Sequence, residues 1–213
     1  MSTAKELAKA YFDGLKDAYY AHSPEAQEEW DHFASIVQPA SQEHIDKLLE
    51  VYPNAPESLI ELLRLMDGTY YRVYGKEKVC LYALGSDYEG YPYYLLSTLQ
   101  ILKTKDEFAE WGDYLINREF DDIPVDDGIC DDMDKLDFLH FSDCMNNGGT
   151  SQLFIDFSPS VKGKKGQILR VLHDPDELVI VAESFDEYLQ MLMNQDYAFI
   201  DEDTDIEGSI FPA

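Results

Sequence analysis

An α+β fold, with a central, mostly antiparallel sheet and helices on one face, is predicted by three observations. The first third of the 213-residue chain repeats apolar residues at 3–4 spacing, the period of amphipathic helices. Later segments are short β-rich runs divided by Gly, Pro, Asn and Asp, which is how strands and turns read. A last helical stretch closes the pattern, without the regular strand–helix alternation of a doubly wound sheet.

The elements follow in order. Leu7, Tyr11, Phe12, Leu15, Ala18 and Tyr19 form the stripe of a first helix. Ser23-Pro24 is a cap followed by Pro at the first helical position, and the helix after it carries Trp30, Phe33, Ala34 and Val37 on one face until Pro39 ends it. Ser41 caps a third helix with Ile45, Leu48, Leu49 and Tyr52. Pro56 opens a fourth with Leu59, Leu62, Leu63 and Met66, and Gly68 is its stop. Tyr70–Tyr74 and Lys78–Leu84 read as strands joined through Gly75-Lys76-Glu77, and Gly85–Gly90 as an exposed loop. Tyr93–Leu96 and Leu99–Leu102 read as further strands. Thr104–Arg118 reads as a helix opened by a Thr104/Glu107 capping box, with Phe108, Trp111, Leu115 and Ile116 inward. Strands at Phe138–Phe141, Gln152–Phe157, Gln167–Leu172 and Leu178–Ala182 follow. They are separated by Asn146-Asn147-Gly148-Gly149, by Gly163-Lys164-Lys165-Gly166 and by His173-Asp174-Pro175-Asp176. Ser184 with Glu187 caps the closing helix, which carries Phe185, Tyr188, Leu189 and Leu192.

Charge limits the function. With 16 Lys+Arg against 43 Asp+Glu the formal net charge is −27. Such a chain repels nucleic-acid phosphates and anionic membrane, so neither is an expected partner. A content of 45% hydrophobic and 13% aromatic residues separates it from acidic disordered chains. No apolar run approaches the roughly 20 residues that span a bilayer. The amphipathic N-terminus lacks a signal peptide's apolar core, so the cytosol is expected. Cys80, Cys130 and Cys144 are odd in number and widely spaced, and read as ordinary thiols.

The motif tests for catalysis and metals fail. Gly163–Gly166 has no following helix to supply phosphate donors. The five histidines form no HExxH pair, and Asp201-x-Asp203-x-Asp205 lacks the glycine and the final acid of a calcium loop. His140, Ser142 and Cys144 would share one face of an extended strand, and neighbours in sequence rarely form a triad. No enzyme, cofactor or metal is expected. The remaining signal is acid. Residues 119–137 hold nine acids and one lysine, residues 196–207 hold six acids and no base, and together they carry about half the net charge. Residues 119–137 read as an exposed loop or insertion. A solvated face and a docking surface for a basic protein both fit that composition.

The order of motifs resembles the SUKH superfamily of bacterial toxin-immunity proteins and fungal cell-wall-synthesis regulators. The resemblance is carried by Ser41–Glu50, Ala55-Pro56-Glu57-Ser58-Leu59 and Leu62–Gly68. It continues in Phe154-Ile155-Asp156-Phe157, Gly163, Gly166-Gln167-Ile168, Asp174, and Ala182-Glu183-Ser184-Phe185 with Tyr188-Leu189. Ala55 stands where the family usually has Leu, and Asp67-Gly68 replaces Asn-Gly. The resemblance implies residues 1–40 as a helical extension, 41–195 as the α+β domain with an acidic insertion at 119–137, and 196–213 as an acidic tail. It also implies protein binding without catalytic residues, the expected partner being a basic toxin domain such as a nuclease. The contact residues expected on charge and exposure are Asp121, Asp122, Asp126, Asp127, Asp131, Asp132 and Asp134, with Tyr88 and Tyr91 as aromatic anchors. A regulatory scaffold without a toxin, and a hydrolase of unrecognised type, are the alternative readings. Oligomeric state is left open.

Overall fold

The computed structural model describes residues 3–87, 92–144, 151–200 and 209–213. Four helices lead: α1 (Ala4–His22), α2 (Pro24–Ile36), α3 (Gln42–Val51) and α4 (Glu57–Leu63). The starts of the first three follow from side-chain oxygens accepting backbone N–H groups, while α4 follows Pro56 without such a cap. Thr3 and Glu6 form a reciprocal capping box, Ser23 accepts from Ala26, and Ser41 accepts from His44. The expected inward residues are largely inward; Ala34 instead faces solvent, and Leu49 is partly exposed. Trp30 of α2 lies among the rings of Phe12 and Tyr19 from α1 and of Phe33, with centroids 5.2–5.6 Å away.

Two sheets follow. Strands β1 (Tyr70–Tyr74), β2 (Glu77–Cys80) and β8 (Ile210–Pro212) make a three-stranded sheet in the order β1-β2-β8. Strands β3 (Tyr94–Leu95), β4 (Phe138–Cys144), β5 (Ser151–Asp156), β6 (Gln167–Leu172) and β7 (Glu177–Ala182) make a five-stranded antiparallel sheet in chain order. The closing helix α7 (Phe185–Asn194) starts at Ser184 and packs against β6, β7, α1 and α4. Ser58 of α4 hydrogen-bonds Asp186 of α7.

Alternation along β5 divides the core. Leu153, Ile155 and Phe157 face the helices, in one apolar cluster with Tyr11, Trp30, Leu59, Phe185 and Tyr188. Phe154 faces the other way, into a second cluster with Phe108, Leu115, Ile129, Phe138, Leu169, Val171 and Leu178. The leading helices therefore share one core with the sheet. Tyr197 and Phe199 are buried in that core too, the Tyr197 hydroxyl donating to the carbonyl of Tyr11 at 2.9 Å.

Several local expectations are corrected. Leu99–Leu102 is not a strand but lies in α5 (Thr98–Lys103), because Ser97 and Gln100 form a capping box that outweighs the β-rich composition. Thr104 therefore ends a helix rather than starting one, and its hydroxyl donates back to Gln100 O. The expected helix 104–118 is broken into a 3₁₀ turn at Phe108–Glu110 and the short α6 (Asp113–Ile116). The regular part of β2 stops at Cys80. In β4 a bulge between His140 and Ser142 resets the alternation. His140 then faces Phe154 on the outer side while Ser142 pairs with Leu153, so the expected common face of His140, Ser142 and Cys144 does not form. The Asn146–Gly149 turn lies outside the described residues.

Buried Asp67 joins α4, β1 and α5. It accepts from the Thr98 amide and hydroxyl, both at 2.9 Å, and from the Arg72 guanidinium at 2.8 Å. A carboxylate at this turn thus has a cationic partner that an Asn would lack.

Candidate functional site

The segment 119–137 does not lie free in solvent as expected. Its apolar residues form part of a layer over the outer face of the five-stranded sheet. Ile129 is buried, and Ile123, Val125, Met133 and Leu136 pack around the second apolar cluster. Val125 makes a parallel bridge to Leu178 on the edge strand β7. The Asp126 amide donates to the Leu178 carbonyl at 3.0 Å, and Asp126 Oδ2 accepts the Ile180 amide at 2.7 Å. Arg118 holds the segment from the other end, its guanidinium donating to the carbonyls of Asp126 and Ile129 at 3.3 Å each.

The loop Ser158–Gly166 supports the segment from below. The Ser160 amide and the Gln167 side chain both donate to the carbonyl of Gly128, at 3.0 and 3.1 Å. Gln167 also donates to the buried Asp156 at 2.9 Å, whose carboxyl is pushed up to about 6, chiefly by burial. A Cβ on Gly163 would stand 2.1 Å from the Gly128 carbonyl oxygen, so only glycine lets the two backbones touch. Two of the three lysines of this loop pair with acids: Lys162 with Asp127 at 2.6 Å and Lys164 with Glu183 at 2.8 Å.

The seven expected aspartates divide by role. Asp126 anchors the segment. Asp127 pairs with Lys162, which lowers its carboxyl below the usual range. Asp132 accepts the Asp134 amide and pairs with Lys135, with the same effect on its carboxyl. Asp121, Asp122, Asp131 and Asp134 are exposed. These four belong to a segment whose backbone is tied to the sheet and its loops at Val125, Asp126 and Gly128. The expected anchors Tyr88 and Tyr91 lie outside the described residues, as do Asp201, Asp203 and Asp205. Sequence reading missed Ile123, Val125, Ile129, Met133 and Leu136 as anchors of this surface. Their spacing is irregular, and the charges between them dominate the composition.

The other chemistry-bearing groups have local roles. His140 is buried, stacks on Phe154 at 4.8 Å and bonds the Ser142 carbonyl at 3.0 Å; burial pushes its imidazole down to about 4. His173 bonds Asp176 within the β6–β7 turn at 2.7 Å. Among the described residues no three His, Cys, Asp or Glu side chains converge as a metal site, and no helix is long and apolar enough to cross a membrane.

Helices α3 and α4, the Asp67-Gly68 turn into the small sheet, and the β4–β7 meander closed by α7 define an α+β domain. The model of the SMI1 / KNR4 family (SUKH-1) matches residues 39–191, and the chain belongs to this family. A search of curated proteins found no match.

Proposed function

We infer that this protein is a non-catalytic binding domain of the immunity type, which acts in the cytosol and neutralises a cognate toxin, a basic nuclease domain, by direct contact. The observation that carries this reading is that the exposed Asp121, Asp122, Asp131 and Asp134 belong to a segment tied to the sheet. A patch held to the sheet presents its charges without the ordering cost of a free loop. It complements a protein that holds phosphates, and such complementarity raises association rates and makes them salt-dependent. Family membership supports the reading through its immunity and regulatory members.

The test has two arms. A toxin gene beside this one, whose catalytic domain is captured by the co-expressed protein and loses activity, is the expected outcome. A regulatory scaffold predicts no such neighbour. With the captured domain in hand, changing the four exposed aspartates to Asn should slow association by about tenfold at low salt and flatten its salt dependence. An unchanged rate and slope would remove the acidic patch from the interface.

A further inference from the structure

A second surface lies at the opposite edge of the five-stranded sheet. Where the acidic segment follows β7, this surface spans β3 and the three-stranded sheet. In that small sheet Val73 is opposite Lys78, and Lys78 is opposite Phe211. Cross-strand partners share a face, so the three form one transverse row. The next row, Arg72, Val79 and Ile210, belongs to the other face, where Val79 is fully buried and Arg72 reaches Asp67.

The outward face is unusually apolar for so charged a chain. Tyr71 is 49% exposed and Val73 44% exposed. A register shift between Tyr70 and Arg72 sets Tyr71 at φ 48°, a left-handed conformation rare for a bulky residue. Bulges of this kind re-aim a side chain. From Tyr71 a file of rings continues inward: Tyr70 at 5.1 Å, then Tyr94 of β3 at 5.2 Å from Tyr70, then Tyr82 at 4.8 Å from Tyr94. Phe211 and Tyr71 already hold a cation, since the Lys78 ammonium lies 5.7 and 6.0 Å from their ring centres.

The strip is electrically polar along its length. Lys78 occupies the Phe211 end. At the other end Asp143 stands opposite Tyr94 in the β3–β4 register, and one of its carboxylate oxygens, Oδ1, is buried without a hydrogen-bond partner. Burial first, then the charge of Asp143 and more weakly that of Glu107, push the Tyr70 hydroxyl up to about 12, so both acids lie within electrostatic reach of it. A cation is therefore repelled at one end and attracted at the other, by the exposed Glu107 and by Asp143 once its raised carboxyl has ionised.

We propose that this strip docks an arginine-bearing segment of a partner protein, the guanidinium over Tyr70 and Tyr94 toward Asp143 and Glu107, and an apolar neighbour over Val73 and Phe211. Arginine fits because its planar guanidinium stacks on tyrosine faces while its edge donates to carboxylate. A second copy of this chain fits poorly, since each copy brings a net −27. The proposal rests on the reading that the protein binds a basic partner, but it concerns a surface separate from the aspartate patch.

The full-length chain is titrated with nona-arginine and, as a probe of equal charge, nona-lysine, at 0.3 M NaCl. Wild type should prefer nona-arginine by about tenfold. Tyr70→Leu, which removes an aromatic face at a half-buried position and keeps it apolar, and Glu107→Gln, an exposed change, should each remove most of that preference. Both should keep the nona-lysine affinity within about twofold, with unfolding midpoints checked alongside. The quadruple Asn variant of Asp121, Asp122, Asp131 and Asp134 should weaken both peptides alike and retain the preference. No preference in wild type, a preference that survives Tyr70→Leu, or its loss in the quadruple variant would overturn the proposal. So would concentration-dependent self-association that Tyr70→Leu abolishes. Failure of the quadruple variant to weaken either peptide would count against the patch alone.

Discussion

Asp126 Oδ2 accepts the backbone amide of Ile180 at 2.7 Å, which ties the most acidic stretch of the chain to the edge strand of its sheet. The same residue's amide donates to Leu178, so one aspartate closes both sides of the attachment. Edge strands present unpaired backbone groups that pair with other chains unless covered. Here the acidic segment covers β7 and carries negative charge to the edge.

Removing the carboxylate of Asp126 leaves the Ile180 amide without its acceptor. Asp126→Ala should lower stability by about 1–2 kcal/mol and reduce hydrogen-exchange protection in residues 121–136. Asp121→Asn, which touches no such contact, should stay within about 0.5 kcal/mol of wild type. Equal stability losses in denaturant unfolding of the two variants would show that the anchor does not hold the segment.

Asp143 gives the protein a pH-dependent stability. Its carboxyl is pushed up to about 7 by burial and then by the charge of Glu107, against a hydrogen bond from Gln152. The unfolded chain releases that proton near about 3.9, so it binds fewer protons than the folded chain between the two values, and stability falls as pH rises through them. Asp156, pushed up to about 6, has the same sign over a narrower range. His140, pushed down to about 4, has the opposite sign: its contribution is lost as pH falls from about 6.5. Above about 6.5 Asp143 therefore acts alone among the three. Asp143→Asn should be more stable than wild type by about 1–2 kcal/mol at pH 8, with the difference closing toward pH 5. A pH-independent difference between the two unfolding curves would refute this.

Gly14 should resist the usual helix-stabilising change. Alanine in an exposed helix is favoured over glycine by about 1 kcal/mol. At this position, however, a Cβ would come within 2.1 Å of the Tyr197 hydroxyl, which is held by the Tyr11 carbonyl. Gly14→Ala should therefore destabilise by about 1–2 kcal/mol. In a Tyr197→Ala background the same change should be neutral or stabilising. A stabilising Gly14→Ala in the wild-type background would place the tail away from α1.

Much of the fold was legible because it depends on short-range chemistry. Ser23, Ser41 and Ser184 mark helix starts by accepting amides within one turn, and Gly75 marks a hairpin whose Tyr74 and Glu77 are directly paired. The misreadings came where two local signals compete. Thr104 with Glu107 satisfies a capping pattern as Ser97 with Gln100 does, but it is the second pair that forms the reciprocal box, at the start of a helix whose Ile101 packs into the core. The candidate surfaces were less legible than the fold. The aspartates were found from charge, but the tyrosine strip joins Tyr70, Tyr82 and Tyr94, whose rings meet only when β3 lies beside the small sheet.

The sequence by itself determined the four leading helices and α7, most of the antiparallel strands, the family and the uneven acidity, because each is a property of composition or of residues a few positions apart. The tertiary structure decided what the acidic segment is. Ile123, Val125 and Ile129 carry no readable period, and they become anchors only when β4–β7 present an apolar face to receive them. It also decided that Tyr197 and Phe199 lie in the core, beside a run of acid, since apolar burial depends on what the fold brings near and not on charge in neighbouring sequence.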